Sequence, residues 1–287
     1  MTLLSFSFGV ARRRHALAAF TTIAGALIVL LTYFPLIFVF SNSLKTGENI
    51  ASGGVFALFT QFDVQNYVQA WEGVSLPLLN TVVVAAAAIL IGVAAAALGA
   101  YGFAQFQFRG KSVVFTAYVS LLMIPSTLTI IPLFLMMKSF GLYNSWWALI
   151  LPYAAGAQPL LVLLFRGFFE QIPHELLESA RVDGANELSI LLRIITPLTR
   201  PILLTGSILM TITIWGDYIW PAVVLQDYHK YTVSTGLQQY VSSLGLSGTA
   251  TGSVFAAYVI AMLPMLALVG LSMRYFVAGM TEGSVKL

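Results

Sequence analysis

The sequence predicts an all-α integral membrane protein with six transmembrane helices, and three observations lead there. First, 59% of the 287 residues are hydrophobic and only 9% are charged, against roughly 25% charged in soluble domains. Second, the apolar residues gather into runs long enough to cross a hydrocarbon core of about 30 Å, for which a helix needs about 20 residues. Third, eleven of the fourteen lysines and arginines fall on alternate connections between those runs.

The runs are 16–40, 76–101, 113–137, 146–165, 202–225 and 254–276. The first follows Arg12-Arg13-Arg14 and is longer than the 7–15-residue apolar core of a signal peptide, so it is read as a retained span. The second is built from small residues, Ala85 through Ala88, Gly92, Ala94 through Ala97 and Gly99, which let helix backbones approach closely in lipid. Pro125 in the third and Pro152 and Pro159 in the fourth each remove a backbone donor and favour a kink. Ser126, Thr127 and Thr129 beside Pro125 add neutral hydrogen-bonding groups. The fifth run carries Trp215, Asp217, Tyr218 and Trp220. An acidic side chain at the centre of a span costs at least ~2.5–3.5 kcal/mol, so Asp217 must find a partner, water or a proton. Two roles stay open for this cluster: hydrogen bonding that is structural or gating, or contact with a transported solute.

The basic residues set the orientation. With the N-terminus inside, Arg12, Arg13, Arg14, Arg109, Lys111, Arg166, Arg181, Arg193, Arg200, Arg274 and Lys286 are cytoplasmic, and Lys45, Lys138 and Lys230 lie outside. Both termini and the polar segment 172–201 are then cytoplasmic, and topology accounts for the net charge of +3 without nucleic acid. Catalytic chemistry finds little support. Cysteine is absent, and His15, His174 and His229 stand far apart, which argues against a metal site. Gly110-Lys111-Ser112 looks like the end of a phosphate loop, but Gln105 occupies the place of its first glycine.

The segment 172–201 is a soluble interlude with Glu175, Glu178, Asp183 and Glu187, and Glu170 just ahead of it. Pro173 suits a first helical turn, Glu175 and Glu178 favour its positive end, and Leu176, Leu177 and Ala180 form an apolar stripe. Gly184 allows a reversal, and Asp183 is the expected N-cap of a second run whose apolar face is Leu188, Leu191, Leu192 and Ile195. A hairpin lying on the bilayer is one reading, but interfacial helices favour lysine and arginine, and these carboxylates favour docking onto a protein.

Specific residues then resemble a family. Glu178-Ser179-Ala180, Asp183-Gly184-Ala185, Ile194 and Pro197 resemble the EAA loop of permease subunits of ATP-binding-cassette importers, with Ser179 in place of its second letter and Thr196 in place of the leucine before Pro197. Asn42-Ser43-Leu44-Lys45, Asn66-Tyr67, Asn80-Thr81, the stretch from Gly99 to Ala104, and Trp220-Pro221 resemble carbohydrate permeases of the maltose-transporter G type, although Gly216-Asp217 stands where Asn-Asp is common. The resemblance implies a type I ABC importer permease fold over a single domain, 1–287, in a bacterial or archaeal inner membrane. It implies a second permease subunit, two ATPase subunits that bind ATP and magnesium, an extracytoplasmic substrate-binding protein, and no cofactor or catalytic residue on this chain. It further implies coupling through 172–201, a loop at 241–253 that enters the binding protein's cleft, and a tail at 279–287 near the ATPases. The expected substrate is a sugar, with a polyol, a phosphorylated polyol or an amino acid as alternatives. An ion-coupled secondary transporter is the competing class.

Overall fold

A computed structural model describes the backbone of residues 4–244 and 251–282 and the side chains of residues 20–244 and 251–272. Parts of the expected outer loop 241–253 and of the tail 279–287 therefore lie outside the described residues. Among the described residues every regular element is helical. Three helices are long and apolar enough to cross a membrane unbroken: Phe20–Ser43, which is part of Leu4–Ser43, then Gln65–Gln105, and Thr251–Ser272, which is part of Thr251–Glu282.

The other expected spans are broken, and the breaks have local causes. Lys111–Met123 and Ser126–Ser139 meet at 98°, so 113–137 is not a straight crossing. Pro125 disfavours helical backbone at the residue before it, and Ile124 is extended at φ −81° and ψ 116°. Trp147–Gly156 and Gln158–Phe169 meet at 44°. Pro159 brings no N–H to that junction, and beside it Gln158 donates from Nε2 to the carbonyls of Ala154 (2.7 Å) and Gly92 (2.9 Å). Two further breaks follow, one just ahead of the fifth run and one within it. Glu187–Leu198 turns by 83° into Arg200–Gly216, and the chain then opens at Asp217 before the short helix Ile219–Val224.

The chain divides into two compact units. One comprises Met1–Trp71 with Leu244–Ile260. Its centre is Lys45, fully buried, whose Nζ donates to Asn42 Oδ1 (3.0 Å) and to the carbonyls of Gly54 (2.6 Å) and Val55 (3.3 Å). Asn66 Nδ2 donates to the carbonyls of Ser43 and Lys45, and the Ser43 and Tyr67 hydroxyls are 2.6 Å apart. A side chain at Gly252 would collide with the Lys45 carbonyl and with Asn66, so the last long helix starts against this knot only because residue 252 has none.

The other unit comprises Glu72–Ser243 with Ala261–Leu287. Its core forms where the small-residue helix meets larger side chains: Ala88, Ala96 and Ala100 are fully buried in one cluster with Leu161, Phe165 and Phe169. Gly206 continues the pattern, since a Cβ there would come within 2.8 Å of Leu161 and Phe165. Asn80 Nδ2 donates to the carbonyls of His229 (2.8 Å) and Tyr231 (3.0 Å), and Thr81 Oγ1 accepts from the Val233 N–H (2.7 Å). The Asn-Thr pair thus pins the connection that follows Ile219–Val224.

Candidate functional sites in the polar loop and an interhelical cavity

The polar loop is two short helices around a tightly determined corner. His174–Val182 ends in a glycine-closed turn: the Gly184 N–H donates to the Arg181 carbonyl (3.0 Å), and the Ala185 N–H reaches the Ala180 carbonyl (2.9 Å). This pairing requires a left-handed residue between its donors, and Gly184 supplies φ +84°. Asp183 is the C-cap of this first helix, not the N-cap of the second. Asn186 takes that role, its Oδ1 accepting from the Ser189 N–H at 2.8 Å. The reversal uses up Asp183 and Gly184, so the second helix cannot begin until the chain has left the turn.

One side of the loop joins the membrane core: Leu177, Ile190, Leu191 and Ile195 are buried in the same cluster as Phe165 and Phe169. The other side leaves Leu176, Val182, Leu188 and Leu192 exposed, Val182 at 87%. The expected stripes therefore split, with Leu188 and Leu192 outward and Leu191 and Ile195 inward. Glu178, Ser179, Asp183, Gly184 and Pro197 are exposed, and Ala180, Ala185 and Ile194 are half-buried at the boundary.

Sequence reasoning missed what braces the corner. Arg181 Nε and the Glu187 carboxylate form an ion pair at 2.9 Å across the turn, and the Tyr101 hydroxyl donates to the other oxygen of the same carboxylate. Hydrogen bonding from Arg181 first, then Tyr101, holds the Glu187 carboxyl below the usual carboxylate range. Tyr101 sits near the end of Gln65–Gln105, so the loop is tied to that helix by a polar bond as well as by packing. A π-helical turn at Leu191–Ile195 follows; such turns are frequent at functional sites, and nothing in the spacing of apolar residues announces one.

The second site is a cavity of about 570 Å³ beside the Pro125 break. The 98° turn brings Ser126, Thr127 and Thr129 to one wall, and Asp217 and Trp220 line another. Asp217 finds its partners in the protein: Oδ2 accepts from the Tyr153 hydroxyl (2.9 Å) and Oδ1 from the Trp220 N–H (3.2 Å). Trp220 is 6% exposed and donates from Nε1 to the Ala148 carbonyl, so its ring is mainly a packing element. Trp215 and Tyr218 are not among the lining residues. Trp215 Nε1 donates to the Ala261 carbonyl, and its own carbonyl accepts from Ser234. Tyr153, which belongs to the Ile150-Leu151-Pro152-Tyr153 stretch that resembles the family, lines the cavity, and so does Thr213, for which the sequence offered no signal.

Broken helices, a largely apolar space among them that carries a few hydroxyls, and a two-faced polar loop are features of a polytopic transport component. The chain belongs to the family of binding-protein-dependent transport system inner membrane components, matched over residues 88–282. It is similar to the Probable ABC transporter permease protein YurM of Bacillus subtilis, 34% identical over 88% of this chain and 83% of that one. It is also similar to the melibiose/raffinose/stachyose import permease protein MelC of Bacillus subtilis, 31% identical over 92% and 95%. Among solved structures, its fold matches a chain of a bacterial ABC transporter involved in the import of the acidic polysaccharide alginate, with a TM-score of 0.82 at 24% identity, covering 92% of this chain and 98% of that one.

Proposed function

We propose that this chain is one of two permease subunits of an ATP-driven, binding-protein-dependent sugar importer, the shorter, maltose G-like partner of a heterodimer. The observation that carries the coupling role is the loop's divided apolar surface. Leu176, Val182, Leu188 and Leu192 stay exposed beside the carboxylates of Glu178 and Asp183, on a corner that Gly184 and the Arg181–Glu187 pair hold in shape. An apolar face on a rigid, acidic hairpin fits a protein groove better than an anionic lipid surface. In this reading the partner ATPases bind ATP and magnesium and dock on Glu178, Ser179, Ala180, Asp183, Gly184, Ala185, Ile194 and Pro197. Closure of the ATPases moves the loop and switches the spans between inward- and outward-facing states. The chain itself is non-catalytic and forms a single domain of six spans, with the loop 172–201 and both termini cytoplasmic.

An oligosaccharide is the proposed substrate. Support comes from the saccharides named for MelC and from a cavity whose polar groups are chiefly neutral hydroxyls; a polyol is the nearest alternative. Asp217 satisfied by Tyr153 favours a structural or gating role over ion coupling. The test is ATP hydrolysis by the complex reconstituted with its binding protein. Stimulation by saccharide-loaded binding protein is the expected result. Stimulation by an amino acid or inorganic ion and by no saccharide refutes the substrate, and uptake without ATP refutes the importer mechanism.

A further inference from the structure

Segment 47–64 of the first unit exposes an unusual number of large apolar side chains: Phe56 and Phe62 at 74% each, with Leu58, Phe59 and Val64. Exposed clusters of this kind mark a surface that something covers. Their arrangement has been bought with two unfavourable features. Lys45 is buried with no carboxylate partner among the described residues, a costly placement for an ammonium group, and two of its hydrogen bonds hold the chain at Gly54 and Val55, next to Phe56. Phe59 takes φ +55°, a left-handed conformation uncommon for a bulky residue, and its N–H is held by the buried Ser41 hydroxyl at 2.8 Å.

Both features aim rings at the end of the first long helix. Phe56 lies 5.7 Å from Phe38 and Phe59 lies 6.4 Å from Phe40, centroid to centroid. Phe38 and Phe40 belong to Phe20–Ser43, an apolar helix exposed along nearly its whole length. The aromatic patch therefore continues the exposed apolar surface of a candidate span. The segment carries only Glu48 and Asp63 as charges and no lysine or arginine, so its attraction would be apolar rather than electrostatic. Gln61 Oε1 accepts from both the N–H and the hydroxyl of Thr46, which ties the end of the segment to its start.

We propose that segment 47–64 is an interfacial anchor whose Phe56, Phe59 and Phe62 rings insert into the bilayer at the headgroup boundary, with the Lys45 knot as the device that holds them at that depth. This goes beyond the importer reading and does not depend on the coupling loop or on the substrate.

Because the chain has no cysteine, Phe62→Cys gives a single attachment site for an environment-sensitive dye. It would be tested in the assembled complex, with partner subunits free of reactive cysteine, in vesicles of zwitterionic lipid. The expected result is a blue shift relative to the dye in water, with quenching by lipids brominated near the headgroup, unchanged by salt and by added binding protein. Lys45→Met, which keeps most of the stem and loses the donors, should move the emission back to the red. Water-like emission, a blue shift insensitive to lipid quenchers, or a shift that appears only with binding protein overturns the proposal, the last two assigning the patch to a protein partner. Should Lys45→Met fail to assemble, the labelled Phe62→Cys chain with Lys45 intact still decides.

Discussion

The Glu187 carboxylate accepts from Arg181 on both oxygens and from the Tyr101 hydroxyl on one of them, so one side chain joins the corner of the polar loop to a membrane-crossing helix. Tyr101→Phe keeps the ring against Phe106 and removes only the donor. Uptake should fall at least about tenfold, the equivalent of roughly 1.5 kcal/mol for a hydrogen bond to a charged group, while ATP hydrolysis by the complex persists; paired uptake and hydrolysis rates would show the uncoupling, and an equal loss of both would point to misassembly instead. The pH dependence has a definite sign. Because the folded carboxyl titrates below its ordinary range, the contribution of the tie is fully present above that range and is lost as pH falls through the lowered value. At Asp217, Asn retains an acceptor for the Tyr153 hydroxyl, and neutral bonds are roughly half as strong as charge-assisted ones. Asp217→Asn should therefore leave ATP-dependent uptake within about threefold of normal, measured as initial rates, whereas an ion-coupled mechanism would lose transport with the titratable group. That Asp217 needs a partner follows from sequence through the cost of a charge in lipid. Tyr153 lies 64 residues away, and only the folded chain brings the two together.

Gly184 is needed for its backbone, not for its small size, since nothing lies within 4 Å of where a Cβ would stand. A left-handed L-residue costs about 1–2 kcal/mol and a β-branched one is worse, so Gly184→Val should abolish uptake while the spans still insert. Normal transport by a correctly assembled Gly184→Val complex would refute the coupling assignment. Gly206 is the opposite case, open in backbone and closed in space. Gly206→Val drives a side chain into Leu161 and Phe165, and overpacking of this kind costs typically 1–3 kcal/mol; a lower thermal midpoint of the purified complex is the readout. The small-residue packing surface was legible because Ala and Gly at helical spacing have few other uses in lipid. The bends were legible only as prolines. Pro125 marks where the third run breaks, but the 98° angle depends on what the two halves pack against. The N-cap at Asn186 was hidden for a related reason: Asp183 has the right chemistry, and the glycine turn claims it first.

Across the whole chain, the alternation of basic residues predicts that segment 172–201 and the helix Val233–Leu244 lie on opposite sides of the membrane. Single cysteines at Ser189 and Ser242 should label from opposite faces in intact cells, Ser242 from outside; an impermeant reagent that reaches both would overturn the six-span arrangement. Which apolar runs exist was readable from hydropathy, but which cross unbroken was not, because hydropathy is blind to direction. The 83° turn at Thr199 shows what that blindness conceals. Glu187–Leu198 is an arm of about 18 Å by helical rise, set nearly at right angles to Arg200–Gly216 and fastened at its far end by Arg181 and Tyr101. In mechanical terms it is a bell crank: a displacement of one helical turn, ~5.4 Å, at the far end swings the arm by roughly 17°, so a push delivered in one direction leaves the elbow as a rotation in another.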